Sequence, residues 1–300
     1  MIDYKKILKS KDLRIKILKL LNWMPDKTMV KIQYRIKTGR KLNLKNPKRY
    51  TEKLQKYKLY YRDPLMKQCV DKYEVRKYVE LKGFGDTLNE LYGVYSDPSE
   101  IEFDKLPDSF VLKDTLGSGG NSVILVPDKK KVNLNEIREE IKRWVGKESR
   151  NKNPGREWVY DSQRHRIVAE KYLICKDVED LPDYKFFCFD GEPQYIYMME
   201  NYTQHHDKGI LGFLDIDFKL LPVRRKDFAP MKKQPKKPKN YSKMLKMAKK
   251  LSEGFPHVRV DFYNVNGKII FGEMTFFNAS GYTEFEPDEF DFELGRNFEI

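Results

Sequence analysis

The chain has 300 residues, of which 40% are hydrophobic and 13% aromatic, and its 59 Lys and Arg against 45 Asp and Glu give a net charge of +14. This composition can fill a folded core and excludes an intrinsically disordered chain. The three cysteines share no CxxC spacing, which argues against a disulfide framework and a cysteine zinc site and fits a reducing compartment. Because we find no signal-peptide pattern and no long apolar run, we expect a cytoplasmic protein.

The excess positive charge belongs to the N-terminus. Residues 1–60 hold 19 Lys and Arg against 4 Asp and Glu, a net charge of +15, whereas the remaining 240 residues have a net charge of −1. Apolar residues recur between the lysines at roughly helical spacing, which predicts a basic amphipathic helical segment over residues 1–46. These apolar residues are Ile7, Leu8, Ile15, Leu18 and Trp23.

Three roles are open for residues 1–45. Their apolar face can pack on the folded body, or the segment can bind an anionic membrane surface peripherally through its lysines. A polyanion such as nucleic acid is the third option. We do not expect nucleic acid, because the sequence contains no zinc finger, no RNA-binding strand signature and no basic sheet interleaved with aromatic residues.

The helical part of the chain follows. Residues 47–80 predict two helices that are separated by Asp63-Pro64 and stopped by Gly83. Residues 96–110 predict a loop with short helical turns. We therefore expect a helical N-terminal part over 47–107, followed by an α+β body over 108–300.

The stretch FVLKDTLGSGGNSVILV (110–126) predicts a strand, a glycine-rich loop and a second strand. Lys113 near the first strand's end, together with loop N–H groups that can approach anionic oxygens, suits the phosphates of a nucleotide. The motif is neither GxxxxGK[ST] nor GxGxxG, and a strand follows it, so P-loop and Rossmann sites are excluded by context. Taken alone, an ordinary glycine-rich hairpin is the simpler explanation.

The remaining elements are predicted in chain order. A helix is expected over 133–146, a strand in RIVAEKYLI (166–174) and a hairpin in YKFFCFDGEPQYIYMM (184–199), turning at Asp190-Gly191. The proline- and lysine-rich stretch 222–240 is expected to be mobile. A helix at about 240–252 precedes a final hairpin.

Charged residues interrupt two of these strands. Glu170 ends an apolar strand, where it could bind a ribose hydroxyl or an adenine amino group, or could simply be solvated. Asp183 and Lys185 lie two residues apart and so share one face of a strand. For each motif alone, a surface residue or surface ion pair is the simpler explanation.

The final hairpin, RVDFYNVNGKIIFGEMTFFN (259–278), places Asp261 and Glu273 in two apolar strands. A charge in a half-buried strand costs several kcal/mol unless it is paired or holds a cation. Two carboxylates that face the same way would suit Mg²⁺, which prefers oxygen ligands and bridges to substrate phosphates. The alternative is that both acids are solvated.

The turn of this hairpin decides whether the two acids can meet. A two-residue type I′ turn at Asn266-Gly267 would place Asp261 opposite Gly272 and put Glu273 on the other face. A bulge, or a loop of three or five residues, would bring the two acids opposite each other, and we therefore predict that the type I′ turn does not form. The predicted cleft-facing residues are Arg259, Asp261, Tyr263, Glu273 and Thr275, and the predicted core residues are Val258, Val260 and Phe262.

Together these motifs form an ordered set that resembles the TupA-like family of the ATP-grasp superfamily, which is named for teichuronopeptide biosynthesis and is common in bacterial capsule and polysaccharide loci. The resemblance covers roughly residues 47–295, and the N-terminal 45 residues lie outside it. It rests on RYTEKLQKYKLYYRDPLMKQCVDKYEVRKYV, LPDSFVLKDTLGSGGN, AEKYL, DYKFFCFDGEP, VRVDFYNVNGKIIFGEMTF and the SG at 280–281.

The resemblance implies an α+β ATP-grasp fold, in which two α+β lobes grip ATP, preceded here by the basic helical segment. By this resemblance Lys72 and Lys113 would grip the phosphates of ATP. The loop that would close over the phosphates comprises Ser118, Gly119, Gly120 and Asn121. The segment that would contact adenine comprises Glu170, Lys171, Tyr172 and Leu173.

The resemblance also implies a catalytic and metal site. Arg259 and Lys185 would be catalytic, and Asp261 and Glu273 would hold Mg²⁺ beside the transferred phosphate. Ligases related to D-alanine ligation commonly have Asn two residues after the second carboxylate, whereas this chain has Thr275. A hydroxyl is a poorer magnesium ligand than an amide carbonyl, so Asn278 is a candidate substitute.

The implied activity is ATP-dependent ligation of a carboxylate to an amine through an acyl phosphate. The expected carboxylate is a uronic acid or a similar group of a bacterial surface polysaccharide or its precursor, and the expected amine is an amino acid or a simple amine. Two alternatives remain: a nucleotide-binding module without ligase activity, and a glycosyltransferase. A glycosyltransferase would need a DxD-like motif, and the closest match is DID at 215–217.

Overall fold

The computed structural model of the protein describes residues 16–18, 20–117, 122–145, 153–175, 180–202 and 209–300. Helices and two main sheets alternate along this part of the chain. The α-helices are α1 (Asp26–Thr38), α2 (Tyr50–Tyr60), α3 (Leu65–Val70), α4 (Val75–Leu81), α5 (Leu134–Lys142), α6 (Tyr241–Ser252) and α7 (Glu289–Asn297). The strands are β1 (Leu91–Tyr95), β2 (Phe110–Asp114), β3 (Val123–Val126), β4 (Ile167–Lys171), β5 (Asp183–Phe189), β6 (Glu192–Glu200), β7 (Ile210–Asp215), β8 (Arg224–Arg225), β9 (Ala229–Pro230), β10 (His257–Val265), β11 (Lys268–Thr275) and β12 (Phe285–Glu286).

The basic N-terminal segment is described only in part, because residues 1–15 and 19 lie outside the described residues. Within it, α1 buries Val30 and Tyr34 against Leu42 and Tyr282. In the parts of the chain that the structure describes, no helix is both long and apolar enough to cross a bilayer.

The break predicted at Asp63-Pro64 is confirmed, since α2 ends before it and α3 begins after it. The single second helix predicted there is wrong: it is divided into α3 and α4. The cause is Asp71, whose Oδ1 accepts the N–H groups of Tyr73 and Glu74 at 2.8 and 3.0 Å and competes with helical bonding. This break leaves Lys72 in a non-helical turn, where its N–H donates to the carbonyl of Thr115 at 2.9 Å.

The first sheet has four antiparallel strands in the order β1-β4-β2-β3. The predicted strand–loop–strand unit of 110–126 is confirmed as β2 and β3, although its loop residues Ser118 to Asn121 lie outside the described residues. The prediction of a helical part over 47–107 did not include a strand, but the structure has β1 there, paired with β4. A separate core, which includes Phe110, Leu112 and the buried face of α5, packs on this sheet.

The second sheet has six strands in the order β11-β10-β5-β6-β7-β9, antiparallel except for the β7–β9 pair. Helix α6 packs Met244, Met247 and Leu251 into the core beside it. The hairpin at Asp190-Gly191 and the helix at about 240–252 are confirmed. The proline- and lysine-rich stretch 222–240 contains the two-residue strands β8 and β9, and its expected mobility stays a prediction.

The final hairpin turns where the sequence signal lies. Asn266 and Gly267 have φ values of 52° and 84°, and Val265 pairs with Lys268. A two-residue turn with two positive φ values is of type I′. The prediction that this turn does not form is therefore wrong.

A bulge brings the two acids together. The register of β10 and β11 shifts between Asp261 and Phe262, leaving Gly272 as the extra residue, so that Asp261 lies directly opposite Glu273, as predicted. A Cβ atom on Gly272 would lie 3.0 Å from the carbonyl oxygen of Asp261, which explains why glycine fits there. Val260 and its alternating neighbours on β10 are buried in the core, also as predicted.

Candidate active site

A cavity of about 540 Å³ is lined by residues of both main sheets. The structure brings together every site residue of the sequence prediction that it describes; Ser118, Gly119, Gly120 and Asn121 lie outside the described residues. The residues gathered around this cavity are Lys72, Lys113, Glu170, Lys171, Tyr172, Leu173, Lys185, Arg259, Asp261, Glu273, Thr275 and Asn278.

Arg259 lies at the centre of the charged cluster on the six-stranded sheet. Its Nε and Nη2 donate to the two carboxylate oxygens of Asp261, each at 2.7 Å, in a bidentate pair. Nη2 also donates to Glu273 Oε1 at 2.9 Å and to Thr275 Oγ1 at 3.0 Å, and Nη1 donates to Asn278 Oδ1 at 2.6 Å. All four predicted metal ligands therefore contact one guanidinium group.

Asp261 is buried, and burial alone would raise its pKa. Arg259 and the ammonium of Lys185, which lies 2.6 Å from Asp261 Oδ2, overcome this effect and hold the pKa of Asp261 below its ordinary value. The carboxylate is thus ionised and fixed in place by two cations, which leaves it acceptor-only, as a metal ligand must be.

Lys185 and Asp183 form a buried pair rather than the surface pair that seemed simpler from the sequence, with Nζ 2.5 Å from Asp183 Oδ2. Burial raises the pKa of Asp183 to about 6, despite the opposing effect of Lys185. Burial lowers the pKa of Lys185, but Asp183 and Asp261 together raise it well above its ordinary value. Lys185 therefore stays protonated on the cavity wall.

The oxygen donors fit a hard divalent cation. Two carboxylates stand opposite each other on one sheet face, and the hydroxyl of Thr275 and the amide oxygen of Asn278 contact the same arginine. The buried Nδ2 of Asn278 has no hydrogen-bond partner, so the amide is held through its oxygen alone. Among the described residues no cluster of three or more His, Cys, Asp and Glu could hold a metal, so a cation here would depend on ligands from substrate phosphates, as Mg²⁺ commonly does.

On the opposite wall, Lys113 Nζ donates to Glu170 Oε2 at 2.7 Å, and Arg76 lies 3.6 Å from the other carboxylate oxygen. In register with Glu170 on the same sheet lie the apolar residues Val111 and Leu125, which also line the cavity. This wall therefore combines two cations with an apolar surface, the two features that a nucleotide needs.

Lys72 lies at the junction of the two walls. Its Nζ donates to the carbonyl of Gly117 at 2.5 Å, just before the glycine-rich loop. Burial lowers the pKa of Lys72, with Glu273 as the strongest opposing influence. An anion that enters the cavity would stabilise the charged form of this ammonium, because its resting partner is a neutral carbonyl.

The segment predicted to contact adenine, residues 170–173, lines the cavity, but Lys171 has other partners. The Lys171 side chain is exposed and its Nζ donates to Glu90 at 3.0 Å. Its backbone N–H and carbonyl are bonded to Glu90 and Asn89, each at 2.9 Å. Contacts with a base would therefore come from Tyr172 and Leu173, which follow it along the cavity wall.

Arg76, Tyr197 and Arg225 are among the polar lining residues that sequence reasoning missed. Arg76 lies on a short helix and Tyr197 in an apolar strand, and neither carries a local motif. Arg225 belongs to the RRKD run (224–227) within the proline- and lysine-rich stretch 222–240, for which no binding role was predicted. The DID motif (215–217) lies where β7 ends and the following turn begins. There Asp215 Oδ1 accepts the backbone N–H of Lys219 at 2.8 Å. The described residues that line the cavity include no residue of this motif.

Comparison with known proteins gives a family match. A family model described as TupA-like ATPgrasp matches residues 52–299. The comparison with curated proteins gave no match.

Solved structures similar to the chain include a D-alanine–D-alanine ligase from Helicobacter pylori (16% identity, TM-score 0.44, covering 77% of this chain and 61% of that one). Another is a D-alanine–D-alanine ligase from Bacillus anthracis (18% identity, TM-score 0.42, covering 69% and 57%). A third is an L-amino acid ligase from Bacillus licheniformis (14% identity, TM-score 0.40, covering 71% and 44%). The chain thus matches less than two thirds of the length of each.

Proposed function

The chain belongs to the TupA-like ATP-grasp family, and we propose that it is an ATP-dependent ligase that joins a carboxylate to an amine. One observation carries the proposal: the two acids Asp261 and Glu273, opposed across a bulge and joined through Arg259, line the same cavity as Lys72 and Lys113. Such a cavity suits a triphosphate whose terminal phosphoryl group is transferred.

The four-stranded sheet would hold the nucleotide. The base would lie against Val111 and Leu125, and the phosphates would draw Lys113 away from Glu170 while Lys72 approaches from the junction. The loop Ser118–Asn121 would close over the phosphates, as the family resemblance suggests. Lys113 would exchange the Glu170 carboxylate for a phosphate and Lys72 would exchange the Gly117 carbonyl for one, so each ammonium keeps a hydrogen-bond acceptor throughout.

The reaction would have two steps. A carboxylate oxygen of the substrate attacks the γ-phosphorus, ADP leaves, and an acyl phosphate forms. The amine nitrogen then attacks the acyl carbon, inorganic phosphate leaves with the attacking carboxylate oxygen, and the amine's proton passes to phosphate or water. Arg259 would bind the transferred phosphoryl oxygens, and Lys185, fixed by Asp183 and Asp261, would add a permanent positive charge beside them.

Asp261 and Glu273 would hold Mg²⁺, with Asn278 and Thr275 as neighbouring oxygen donors. The ion would neutralise charge on the phosphates. The protein's own contribution is to keep Asp261 ionised and both carboxylates on one face of the sheet.

The substrate class rests on the family resemblance. We propose a uronic acid or similar carboxylate of a bacterial surface polysaccharide or its precursor, joined to an amino acid or amine, in capsule-type polysaccharide biosynthesis. A nucleotide-binding module without activity is the weaker alternative, because such a module has no need of the opposed carboxylate pair. A glycosyltransferase is also weaker, because the cavity-lining residues that the structure describes do not include the DID motif.

The decisive experiment is an ADP-release assay with ATP, Mg²⁺ and a matrix of uronic acids and amines, followed by mass measurement of the product. The proposal expects ADP release that requires both substrates and a product mass equal to their sum minus one water. ADP release that depends on a sugar nucleotide, or no release with any pair, would contradict it.

The outer face of α1 supports a proposal about location. Ile32 and Ile36 are 41% and 45% exposed and lie beside the exposed cations Lys31 and Arg35, while Trp23 just before the helix is 77% exposed. The inner face of α1 packs on the body, so the packing and membrane-binding alternatives concern different faces of one segment. We propose that the outer face binds an anionic membrane surface peripherally, from the cytoplasmic side.

Vesicle binding tests this location. Replacement of Trp23, Ile32 and Ile36 by serine should abolish salt-sensitive binding to phosphatidylserine vesicles and leave turnover of soluble substrates unchanged. Undiminished vesicle binding by the triple variant would contradict the proposal.

A further inference from the structure

A second arginine lies on the cavity wall beside the charged cluster. The carbon of the Arg225 guanidinium lies 5.9 Å from the ring centre of Tyr197, and that of Arg259 lies 5.5 Å from the same ring. The Tyr197 hydroxyl also accepts a hydrogen bond from Arg259 Nη1 at 3.0 Å. One tyrosine therefore links Arg225 to the proposed phosphoryl-transfer centre.

Arg225 is buried, and among the residues that the structure describes its ionic partner is Asp227. Its Nε and Nη2 donate to Asp227 at 3.0 and 2.7 Å, and Asp227 itself is 56% exposed. Among the described residues, Nη1 of Arg225 has no hydrogen-bond partner. A buried guanidinium is costly unless it is paired, and here its partner Asp227 lies in the turn that follows β8 and can move toward solvent.

An aromatic wall lies next to this arginine. The Phe228 ring lies 4.8 Å from the guanidinium carbon of Arg225 and packs edge-to-face on Tyr202, with ring centres 5.7 Å apart. A Cβ atom on Gly209 would lie 2.8 Å from the Tyr202 ring and 3.4 Å from Phe228, so the absence of a side chain there makes room for the pair. Flat apolar surface beside a cation suits a carboxylate attached to a sugar ring or to an aliphatic chain.

We infer that Arg225 anchors a carboxylate of a substrate that is not itself the reacting group, with Phe228 and Tyr202 supporting the body of that substrate. Arg225 pairs with Asp227 rather than with the acids around Arg259, so a carboxylate bound to it stands beside the reacting centre rather than in it. The incoming carboxylate takes the place of Asp227 on the guanidinium fork, which binds carboxylates bidentately. This inference deepens the proposed ligase function and rests on it for the role of the bound substrate.

Two sources share this chemistry: the amino acid that supplies the amine, and a glycan with a second acidic group. Calorimetric titration with L-glutamate and with D-glucuronate, in the presence of ADP, distinguishes them, and the carboxamide of each probe provides a charge-free control. Arg225→Gln should weaken binding of one carboxylate probe about 10- to 100-fold, the usual range for loss of a charge-assisted hydrogen-bonded pair. The probe that loses affinity identifies the source.

The neighbouring Arg224 provides a matched control. It lies on the same short strand but is half exposed and pairs with Glu286 at 2.7 Å. Arg224→Gln should leave the affinity for both probes unchanged. Equal losses in the two variants would overturn the inference, as would unchanged affinity in Arg225→Gln.

Two further variants separate recognition from structural support. Asp227→Asn removes the competing carboxylate and should tighten binding of the same probe, whereas a purely structural pair would only lower the melting temperature. Arg225→Lys keeps the charge without the fork and should fall between the wild-type protein and Arg225→Gln. Absence of tightening in a folded Asp227→Asn variant would contradict the inference.

These experiments distinguish failure of the carboxylate site from failure of the proposed ligase function. If the wild-type protein shows Arg225-dependent binding but releases no ADP with any substrate pair, the ligase proposal fails and the carboxylate site stands. If it releases ADP and Arg225→Gln changes KM for neither substrate, the carboxylate site fails alone. Wild-type protein that binds neither probe would also overturn the inference.

Discussion

The two main sheets present their charges to the cavity in different ways. On the six-stranded sheet, Arg259, Lys185 and Asp261 are buried and each contacts at least two oppositely charged or hydrogen-bonding groups. On the four-stranded sheet, Lys113 is 25% exposed and pairs with Glu170 through one hydrogen bond. The first arrangement is fixed before any ligand arrives, whereas the second can exchange partners at small cost, since partly exposed pairs are weak.

This difference matches the two tasks of the proposed reaction. Charge that develops during phosphoryl transfer is best met by groups that need not move. Nucleotide must enter and leave, which favours cations whose resting partner is easily displaced. We therefore expect substitutions on the six-stranded sheet to affect folding and chemistry together, and those on the four-stranded sheet to affect mainly nucleotide affinity.

The largest effect should come from Asp261→Asn. Loss of one member of a buried charge cluster leaves Arg259 and Lys185 short of a partner, so the unfolding free energy should fall by about 3 kcal/mol or more. ADP release should fall roughly 1,000-fold, as after loss of a preorganised electrostatic group. Urea unfolding and the ADP assay measure the two effects.

Glu170→Gln is the matched control on the other sheet. It should lower the unfolding free energy by less than Asp261→Asn does, because Glu170 is buried but its partner Lys113 is 25% exposed and retains access to water. Equal destabilisation by the two substitutions would remove the distinction between the sheets.

A smaller effect on activity should come from Gly272→Ala. The added Cβ would lie 3.0 Å from the Asp261 carbonyl oxygen and displace the bulge that places Glu273, so ADP release should fall about 10- to 100-fold, as for a reacting group misplaced by about 1 Å. Gly267→Ala in the turn is the control: no atom lies within 4 Å of its Cβ position, and its φ of 84° costs about 1 kcal/mol of stability without moving the site. Similar activity losses in both variants would show that general destabilisation is the cause.

The final hairpin (β10 and β11) also shows which structural features could be predicted from the sequence and which could not. Asn266-Gly267 is a local signal, and its type I′ turn could have been predicted directly. The bulge could not be placed from local pattern alone, since Gly272 is one small residue in an apolar strand and the register depends on contacts with Asp261 on the neighbouring strand. The requirement that both acids share one face did predict their pairing, because side-chain alternation makes any other register incompatible with a common ligand.

In the rest of the site, too, some residues could be predicted from the sequence and others could not. Lys113 and Lys185 lie in strands whose pattern is clear from sequence, and both line the cavity as expected. Arg225 was missed because its position depends on pairing between two-residue strands, where Arg225 lies opposite Phe285, and sequence periodicity cannot reveal so short a pairing. The split of α3 and α4 at Asp71 was missed because a single side chain outcompetes helical bonding there.

Lys72→Ala and Lys113→Ala should each weaken ATP binding about 10- to 100-fold, since each removes a charge-assisted contact with a phosphate. The unfolding free energy should change by less than about 1 kcal/mol for Lys113→Ala. For Lys72→Ala it should change little or rise, because burial lowers the pKa of Lys72 and makes its charge costly. Normal ATP affinity in both variants, measured by calorimetry, would contradict the assignment of the nucleotide site.

A buried lysine that donates to backbone carbonyls extends the comparison to a charge outside the charged cluster. Lys58 is fully buried and donates to the carbonyls of Gly155 and Ser280 at 3.1 and 2.9 Å, and burial lowers its pKa to about 7. Between pH 7 and 10 the unfolded chain binds more protons at Lys58 than the folded protein, so this residue makes the unfolding free energy rise with pH. Lys58→Met should lack this rise; identical pH dependence in urea unfolding of the two proteins would contradict the role of burial.

The most direct test of the central claim, that the Arg259, Asp261 and Glu273 cluster serves phosphoryl transfer to a carboxylate, is isotope tracing. A carboxylate substrate labelled with ¹⁸O is incubated with ATP, Mg²⁺ and an amine, and the released phosphate is analysed by mass spectrometry. An acyl phosphate intermediate predicts one ¹⁸O atom in each phosphate released, because the attacking carboxylate oxygen leaves with the phosphate. Turnover that releases ADP and unlabelled phosphate would contradict the account.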